Sequence, residues 1–364
     1  MKKTLNILVF LLFTVPAYTA FEDIGRDARA KGMANAFYGE PAGVSSIYYN
    51  PAGTAYTKKI EFLATFGMPY LGFDAVKFNT FNGALIIPFP YVLKSEIFFK
   101  DAVIGFGMNN LGLLYENSTY DDDDNIDYYE RLFVINYAKD LLDVLGRATR
   151  LSIGLNFDIY SRGLAANMDT EANSSYFKNG LTTGGFGMDL GFMFFLNYNM
   201  ILGVVIDHIV EPNVAFNKDI IDDPIERNVK LGLSWKSDKL WIFRFPTIAG
   251  GIAFEDLKSN VWEYRLGFEF WTFSRILGIR LGYELSDEGM NNGCVGLSGV
   301  KAFQSGHEIE INYSFVMPIT TIRATYGTHT FSLVYKYSLS WNWYEFDQKK
   351  RQQMITKQEE EKRK

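Results

Sequence analysis

Arginine and glutamate side chains recur at a fixed spacing along two consecutive segments of the chain. Arg265 precedes Glu269 by four positions, and Arg280 precedes Glu284 by the same interval. If the two segments pair as neighbouring strands, each arginine can face a glutamate in a cross-strand ladder. A guanidinium also binds a carboxylate ligand through two parallel hydrogen bonds. Arg265 and Arg280 are therefore candidate ligand-binding residues for an anionic head group, although a ladder that only fills and braces the interior is the simpler interpretation.

The chain contains few residues that are suited to catalysis or metal binding. The histidines His208, His307 and His329 lie on separate predicted segments, and Cys294 is the only cysteine, so neither an internal disulfide nor a cysteine metal cluster can form. His208 shares the apparent apolar face of its segment, and we interpret it as structural. We therefore predict no enzyme, no metal site and no cofactor. The net charge of −6 also provides no basic surface for nucleic acid.

Alternating apolar and polar residues dominate the chain after Tyr56, and this pattern predicts strands. A soluble sandwich would show the same alternation. The alternating segments, however, reach the length of about 9–11 residues that a tilted strand needs to span a bilayer. Aromatic residues also recur near segment ends, as they do at membrane interfaces. These residues are Tyr160, Trp235, Trp271, Tyr283 and Tyr337.

The alternation therefore predicts an all-β fold. The alternating segments number fourteen, and barrels of this kind have an even number of strands, so we predict a fourteen-stranded antiparallel transmembrane β-barrel. The predicted strands are 59–68, 75–88, 101–111, 126–138, 148–162, 183–196, 200–211, 227–237, 246–256, 260–272, 275–286, 292–303, 306–317 and 325–339. The charged residues that we expect to face the lumen are Lys230, Glu263, Arg265, Glu269, Arg280, Glu284 and Glu310.

The two ends of the chain carry segments that differ from the barrel. A positive Met1-Lys2-Lys3 followed by an apolar run predicts a signal peptide over residues 1–20, and hence export. No other stretch reaches the about 18 apolar residues of a transmembrane helix. Residues 341–364 form a charged tail with too few apolar residues to fold alone, which we expect to be periplasmic.

Residues 21–57 also differ from the barrel sequence, which extends over 58–340. Small side chains let this backbone approach another surface closely, and Asn50 can cap a short helix that has Pro51 at its first position. We predict that the region is a hatch inside the lumen of the barrel. The small residues at its start are Ala28, Ala30, Gly32, Ala34 and Ala36.

Two motifs of the hatch region carry a family resemblance. Asp27–Ala28–Arg29–Ala30–x–Gly32–Met33–x–x–Ala36, followed by Ser45–x–x–Tyr48–Tyr49–Asn50–Pro51–Ala52–Gly53, resembles the start of FadL-type outer-membrane proteins, and most closely their PorV-like branch with its uncharacterised spirochaete relatives. Residues 327–333 resemble the end of that branch. The resemblance implies a fourteen-stranded barrel with a hatch inside it. FadL-type members carry long-chain fatty acids or other hydrophobic molecules, whereas PorV-like members serve protein secretion.

These observations predict a protein of the bacterial outer membrane. The leading function is passive, hatch-gated transport of hydrophobic molecules such as long-chain fatty acids, with membrane lipids and the hydrophobic ligand as partners. The alternative is a PorV-like scaffold or shuttle that binds secretion-system proteins. The candidate gating residues are Gly32, Met33, Phe37, Asn50, Pro51 and Ala52.

Overall fold

The computed structural model describes the strands and most of the region that precedes them. The described residues are 25–40, 43–72, 76–89, 101–115, 126–141, 150–166, 180–196, 199–240, 243–255, 261–272, 276–287, 291–303, 306–320 and 325–338. The signal peptide at 1–20 and the tail at 341–364 lie outside them and stay predictions. No helix in these ranges is long and apolar enough to cross a membrane.

Fourteen long strands and one short strand make up the sheet. They are β1 Ile60–Met68, β2 Val76–Pro88, β3 Ala102–Tyr115, β4 Ile126–Asp140, β5 Arg150–Ala166, β6 Thr182–Phe195, β7 Met200–Val210, β8 Asn228–Lys236, β9 Lys239–Leu240, β10 Phe243–Glu255, β11 Val261–Thr272, β12 Leu277–Ser286, β13 Asn291–Ala302, β14 His307–Pro318 and β15 Thr328–Tyr337. Each of the fourteen predicted strands has its counterpart among the long ones.

The sheet closes on itself into a barrel. Neighbouring long strands pair antiparallel in chain order, and the last strand, β15, pairs with β1 from Ile60↔Tyr337 to Met68↔His329. The two-residue β9 only extends the start of β10. The predicted fourteen-stranded antiparallel barrel is therefore confirmed. We call the end where β1 begins the N-terminal end, and the opposite end the far end.

The outer wall of the barrel is apolar because side chains alternate between its two faces. On β1, Phe62 and Phe66 are exposed, whereas Leu63 and Thr65 are buried inside. The same alternation continues around the barrel, so the outward side chains form the apolar surface that a lipid-embedded barrel presents. The exposed apolar residues include Phe81, Phe106, Phe133, Leu231, Leu266, Leu281, Val295 and Phe331.

Two of the aromatic residues assigned to the membrane interfaces lie on the inner face instead. Tyr160 and Trp271 are both buried. Trp271 lies one position out of step with the outward side chains of β11, and its ring lies 5.5 Å from the Arg280 guanidinium. The sequence prediction used their nearness to strand ends but not their parity. Trp235, Tyr283 and Tyr337 share the outward parity of their strands.

The assignment of His208 to an apolar outer face is also wrong. The pairing of β6 with β7 shifts between Met188 and Leu190, and His208 has a positive φ of 54°. The step from Met188 to Leu190 on β6 faces a step of four residues on β7, from Ile206 to Val210, so β7 carries two extra residues here. The left-handed backbone at His208 turns its side chain away from the outer face. The His208 imidazole therefore reaches the interior, where its Nε2 lies 2.9 Å from the buried Tyr160 hydroxyl.

Candidate functional site

Residues 25–57 contact the inner face of the barrel, and we call them the inner segment (residues 41–42 are not among the described ones). The segment starts with a one-turn helix, Ala28–Lys31, whose first turn is capped by the Asp27 carboxylate through the Arg29 amide at 3.1 Å. The helix ends there because Ala34 and Asn35 adopt left-handed φ values of 53° and 55°. The run of small residues is therefore helical only at its start.

Asn50 joins three parts of the structure. It caps the 3₁₀ helix Pro51–Tyr56 by accepting a hydrogen bond from the Ala52 amide at 3.1 Å, as the sequence indicated, and Pro51 occupies the first helical position. Its Nδ2 donates to the Tyr38 carbonyl at 2.7 Å and to the Phe192 carbonyl of β6 at 3.1 Å. The fully buried Asn50 therefore ties the two halves of the inner segment to each other and to the wall.

Tyr48 fixes the same helical region to β2 and β3. Its hydroxyl donates to the Gly83 carbonyl at 2.6 Å and accepts from the Met108 amide at 3.1 Å. Burial raises the pKa of the Tyr48 hydroxyl well above its usual value, so the group stays a neutral hydrogen-bond donor. This contact requires no charged side chain.

Inward-facing glycines let the backbone of the inner segment lie directly against the strands. A Cβ atom at Gly203 of β7 would overlap the Tyr38 carbonyl, and one at Gly154 of β5 would overlap the backbone of Pro51 and Ala52. Gly32 packs against Gly296 of β13 in the same way. Such close approach of two backbones is possible only where side chains are missing, so these glycines determine where the segment lies.

Met33 and Phe37, which the sequence assigned to gating, are fully buried side chains of the inner segment. Met33 packs over Gly267 of β11. The ring of Phe37 lies 5.6 Å from the Tyr49 ring and 5.2 Å from the Arg29 guanidinium. Both side chains thus hold the segment together in the position observed.

Glu269 of β11 is the centre of an ion-pair network at the N-terminal end of the interior. Arg29 of the inner segment donates to both of its carboxylate oxygens, at 2.9 and 2.8 Å, and Arg280 of β12 donates at 2.6 Å. Glu40 adds a second link to the wall, since it pairs with Arg29 at 3.3 Å and with Lys236 of β8 at 2.7 Å. Buried charges need such partners to offset their lost hydration.

Arg265 and Arg280 lie in the cross-strand ladder that their spacing suggested. The register of β11 and β12 places Arg265 opposite Glu284 and Glu269 opposite Arg280. Arg265 pairs with Glu284 at 2.8 Å and also contacts Glu263 and the Tyr38 hydroxyl. Arg280 is fully buried and also contacts Ser298, Asn312 and Glu310. Both guanidinium groups thus already have carboxylate partners, and their binding of an external anion stays a prediction.

An acidic cluster lies farther along the interior, towards the far end, and the sequence analysis did not single it out. Asp189 accepts from Asn156 at 3.2 Å and from the His208 amide at 2.9 Å, and Asp207 pairs with Lys230 at 2.7 Å. Asp158 is buried, and neither of its carboxylate oxygens accepts a hydrogen bond from the described part of the chain. Its place in the polar set of an alternating strand was the only available signal.

The connection between β7 and β8 folds back into the far end of the barrel. Val214 and Ile225 are buried, and Asp223 receives a 2.5 Å ion pair from Arg162 of β5. Thr183 of β6 donates to the Ala215 carbonyl at 2.8 Å. This connection therefore covers part of the far end, and the inner segment fills the interior below it.

A cavity of about 1120 Å³ lies at the N-terminal end, beside the ion-pair network. Its lining includes Arg29, Glu269 and Lys336 together with the apolar side chains of Phe245 and Ile276. The cavity is thus bordered by the inner segment on one side and by strand ends on the others. Among the described residues, no group of three or more His, Cys, Asp or Glu side chains is arranged to hold a metal ion.

A closed barrel with a polypeptide segment packed across its interior defines a class of membrane protein, and known structures of that class match this chain. No protein-family model matches it, and no curated protein does. The toluene transporter TbuX of Ralstonia pickettii matches with a TM-score of 0.59 and 11% identity, over 88% of this chain and 100% of that one. The toluene transporter TodX of Pseudomonas putida gives 0.56 and 11%, over 82% and 94%.

A third solved structure, a FadL homologue of Pseudomonas aeruginosa, gives a TM-score of 0.52 and 12% identity, over 86% of this chain and 98% of that one. At these identities the similarity establishes the fold. The chain therefore has the FadL-like fold that its N-terminal motifs suggested.

Proposed function

We propose that this protein is a passive channel of the bacterial outer membrane for hydrophobic molecules, with the inner segment as its gate. The observation that carries the proposal is an interior occupied by residues that belong to no strand, in a barrel whose outer wall is apolar. The similar structures TbuX and TodX are described as toluene transporters, which supports small hydrophobic cargo. Under this proposal, part of the inner segment must move out of the interior before cargo can pass.

Uncharged cargo suits the interior better than fatty-acid anions do. The two arginines that a carboxylate head group would need are buried and already paired with glutamates. Long-chain fatty acid transport thus remains the less supported form of the proposal.

The gating residues act in this proposal by holding the inner segment in the closed position. Gly32 gives the close contact with β13, Met33 and Phe37 fill the space between the segment and the wall, and Asn50 with its capped Pro51–Ala52 turn holds the second half. Passage then requires that part of this packing be released. The alternative role as a secretion scaffold relied on outer connections and the charged tail, which lie mostly outside the described residues, and it stays a prediction.

A single substitution can test the gate because the native Cys294 lies against the inner segment. The Cys294 thiol of β13 contacts the Ala34 backbone, and both residues are buried in one small cluster. The variant Ala34→Cys would place a second thiol beside the only cysteine of the chain. We would measure uptake of radiolabelled toluene and of radiolabelled oleate by cells that produce the protein, before and after oxidation and again after reduction.

We expect toluene uptake by the wild type and by reduced Ala34→Cys, and a loss of at least tenfold in the cross-linked fraction. Ala34→Ser, which cannot form the disulfide, is the matched control and should be insensitive to oxidant. Unchanged uptake in fully cross-linked protein would disprove the gate while leaving transport intact. Absence of uptake by the wild type would disprove transport itself, and oleate uptake above that of toluene would favour fatty acids as cargo.

A further inference from the structure

An apolar groove of about 570 Å³ crosses the outer surface of the barrel over β7, β8, β10, β11 and β12. The residues that line its floor and walls include Leu231, Leu233, Ile248, Leu266 and Leu285. All of them have the outward parity of their strands, and most are exposed. The groove therefore lies on the lipid-facing side of the wall, and its volume falls within the ~300–1,000 Å³ range of small-molecule sites.

One outward-facing glycine creates the depth of this groove. Gly250 of β10 pairs with Leu233 of β8 on one side and with Leu266 of β11 on the other. A Cβ atom at Gly250 would meet nothing closer than the Arg265 carbonyl at 3.8 Å, so the space above it is open. The larger side chains on both neighbouring strands thus stand on either side of an unfilled position.

The groove does not connect to the interior of the barrel. The pairing of β10 continues without interruption from Thr247 to Phe254 against β8, and over the same stretch against β11. Behind this wall the Tyr38 ring of the inner segment packs against Gly251. Cargo inside the barrel therefore has no route into the groove, and its occupant must come from the surrounding membrane.

We propose that the groove is a binding site for one acyl chain of a membrane lipid. Its long sides are hydrocarbon, as an acyl chain requires. Trp235 lies at the end of the groove that is nearer the N-terminal end of the barrel, and Tyr264 and Tyr283 lie towards the far end. Tryptophan and tyrosine have an apolar ring with one hydrogen-bonding group, which suits the region where the chain meets the polar head group. A bound acyl chain would thus lie along the wall between these aromatic rings.

The test fills the groove without touching the interior. Gly250→Leu places a side chain in the open space, and Gly299→Leu is the matched control, because Gly299 is also an outward glycine. Its Cβ would meet no atom within 4 Å, and its strand, β13, does not line the groove. Each purified protein would be mixed with 1-palmitoyl-2-oleoyl-phosphatidylethanolamine in detergent. Native mass spectrometry would then count the lipids that stay bound as the detergent-to-lipid ratio rises.

We expect the wild type and Gly299→Leu to retain one lipid per barrel under conditions where Gly250→Leu retains at least tenfold less. Circular dichroism and heat-dependent gel migration would confirm that both variants fold as barrels. Equal retention by the two variants would overturn the proposal, as would the absence of a retained lipid in the wild type. A dimer mass that Gly250→Leu alone abolishes would assign the groove to a second copy of the chain and would also overturn it.

Discussion

The two halves of the inner segment are held in the barrel by different physical means. Residues 25–40 include five charged side chains, among them Arg29 and Glu40, whose ion pairs reach β11 and β8. Residues 43–57 carry no charged side chain. That half is held by hydrogen bonds of its own neutral groups, such as those of Tyr48 and Asn50, and by backbone packed on glycine. Two of these neutral groups, the Val44 amide and the Ser45 hydroxyl, donate to the carboxylates of Glu61 and Asp27.

This difference indicates which half moves if the segment is a gate. The second half continues directly into β1 at Ile60, so it is tethered covalently as well as packed. The first half reaches into the ion-pair network, where one contact can replace another because several carboxylates lie near each cation. We therefore infer that the uncharged half is the anchor and the charged half is the movable part. The following substitutions are ordered from the largest expected effect to the smallest.

The largest effect is expected from Glu269→Gln. This change leaves two buried guanidinium groups, those of Arg29 and Arg280, without their shared carboxylate. Removing one partner of a buried ion pair costs about 3–5 kcal/mol of unfolding free energy. Urea unfolding of the barrel in lipid bilayers measures the loss. In the double variant Arg29→Met/Glu269→Gln the loss of unfolding free energy should be smaller than in Glu269→Gln alone, because one uncompensated guanidinium is gone. A loss equal to the sum of the losses in the two single variants would contradict the shared network.

A smaller loss is expected from Gly154→Ala in the anchor half. The added Cβ would overlap the backbone at Pro51 and Ala52. Overpacking of this kind costs about 1–3 kcal/mol, because the strand or the 3₁₀ helix must shift. Since no charge is involved, raising the salt concentration should not change the loss. Gly299→Ala, at an outward glycine of β13 with open space, is the control and should unfold like the wild type. A salt-dependent loss would contradict the distinction between the two halves.

Asn50→Ala should also destabilise the anchor, by about 1–3 kcal/mol, because it removes a helix cap and leaves the buried Tyr38 and Phe192 carbonyls without this donor. If the anchor does not itself open, toluene uptake by the folded variant should stay within about twofold of the wild type. Unfolding measurements in parallel would confirm that the assayed protein is folded. A large gain in uptake would instead show that the second half takes part in opening.

The sequence was informative where structure depends on local pattern. Period-two alternation was sufficient to find all fourteen long strands, because each outward position must be apolar in lipid whatever its neighbours are. The ladder of Arg265, Glu269, Arg280 and Glu284 could also be predicted, since an antiparallel pairing brings equal spacings into register. Asn50 as a helix cap followed from side-chain chemistry alone.

Contacts between distant parts of the chain could not be predicted in this way. An irregularity with two extra residues in β7 turns His208 to the interior, and alternation contains no signal for such an insertion. The partner of Arg29 lies 240 positions away, at Glu269, and no spacing rule connects the two. The acidic cluster around Asp158 could not be predicted for the same reason, because its members become neighbours only when β5, β6 and β7 pair.

The smallest effect, and the sharpest test of the movable half, is expected from Lys236→Met. Lys236 pairs with the buried Glu40 at 2.7 Å, but more than a third of its own side chain is exposed. The buried Glu40 keeps its pair with Arg29 when Lys236 is replaced, so we expect a loss of about 0–1 kcal/mol, as for a partly exposed pair that salt screens. Stability should therefore change little, whereas the first half loses one of its links to the wall. We expect toluene uptake to rise by a few fold at low salt and to approach the wild-type rate at high salt, where the pair is screened in both proteins. Equal uptake at every salt concentration would exclude this ion pair from gating, and a severe loss of stability would show that it belongs to the anchor.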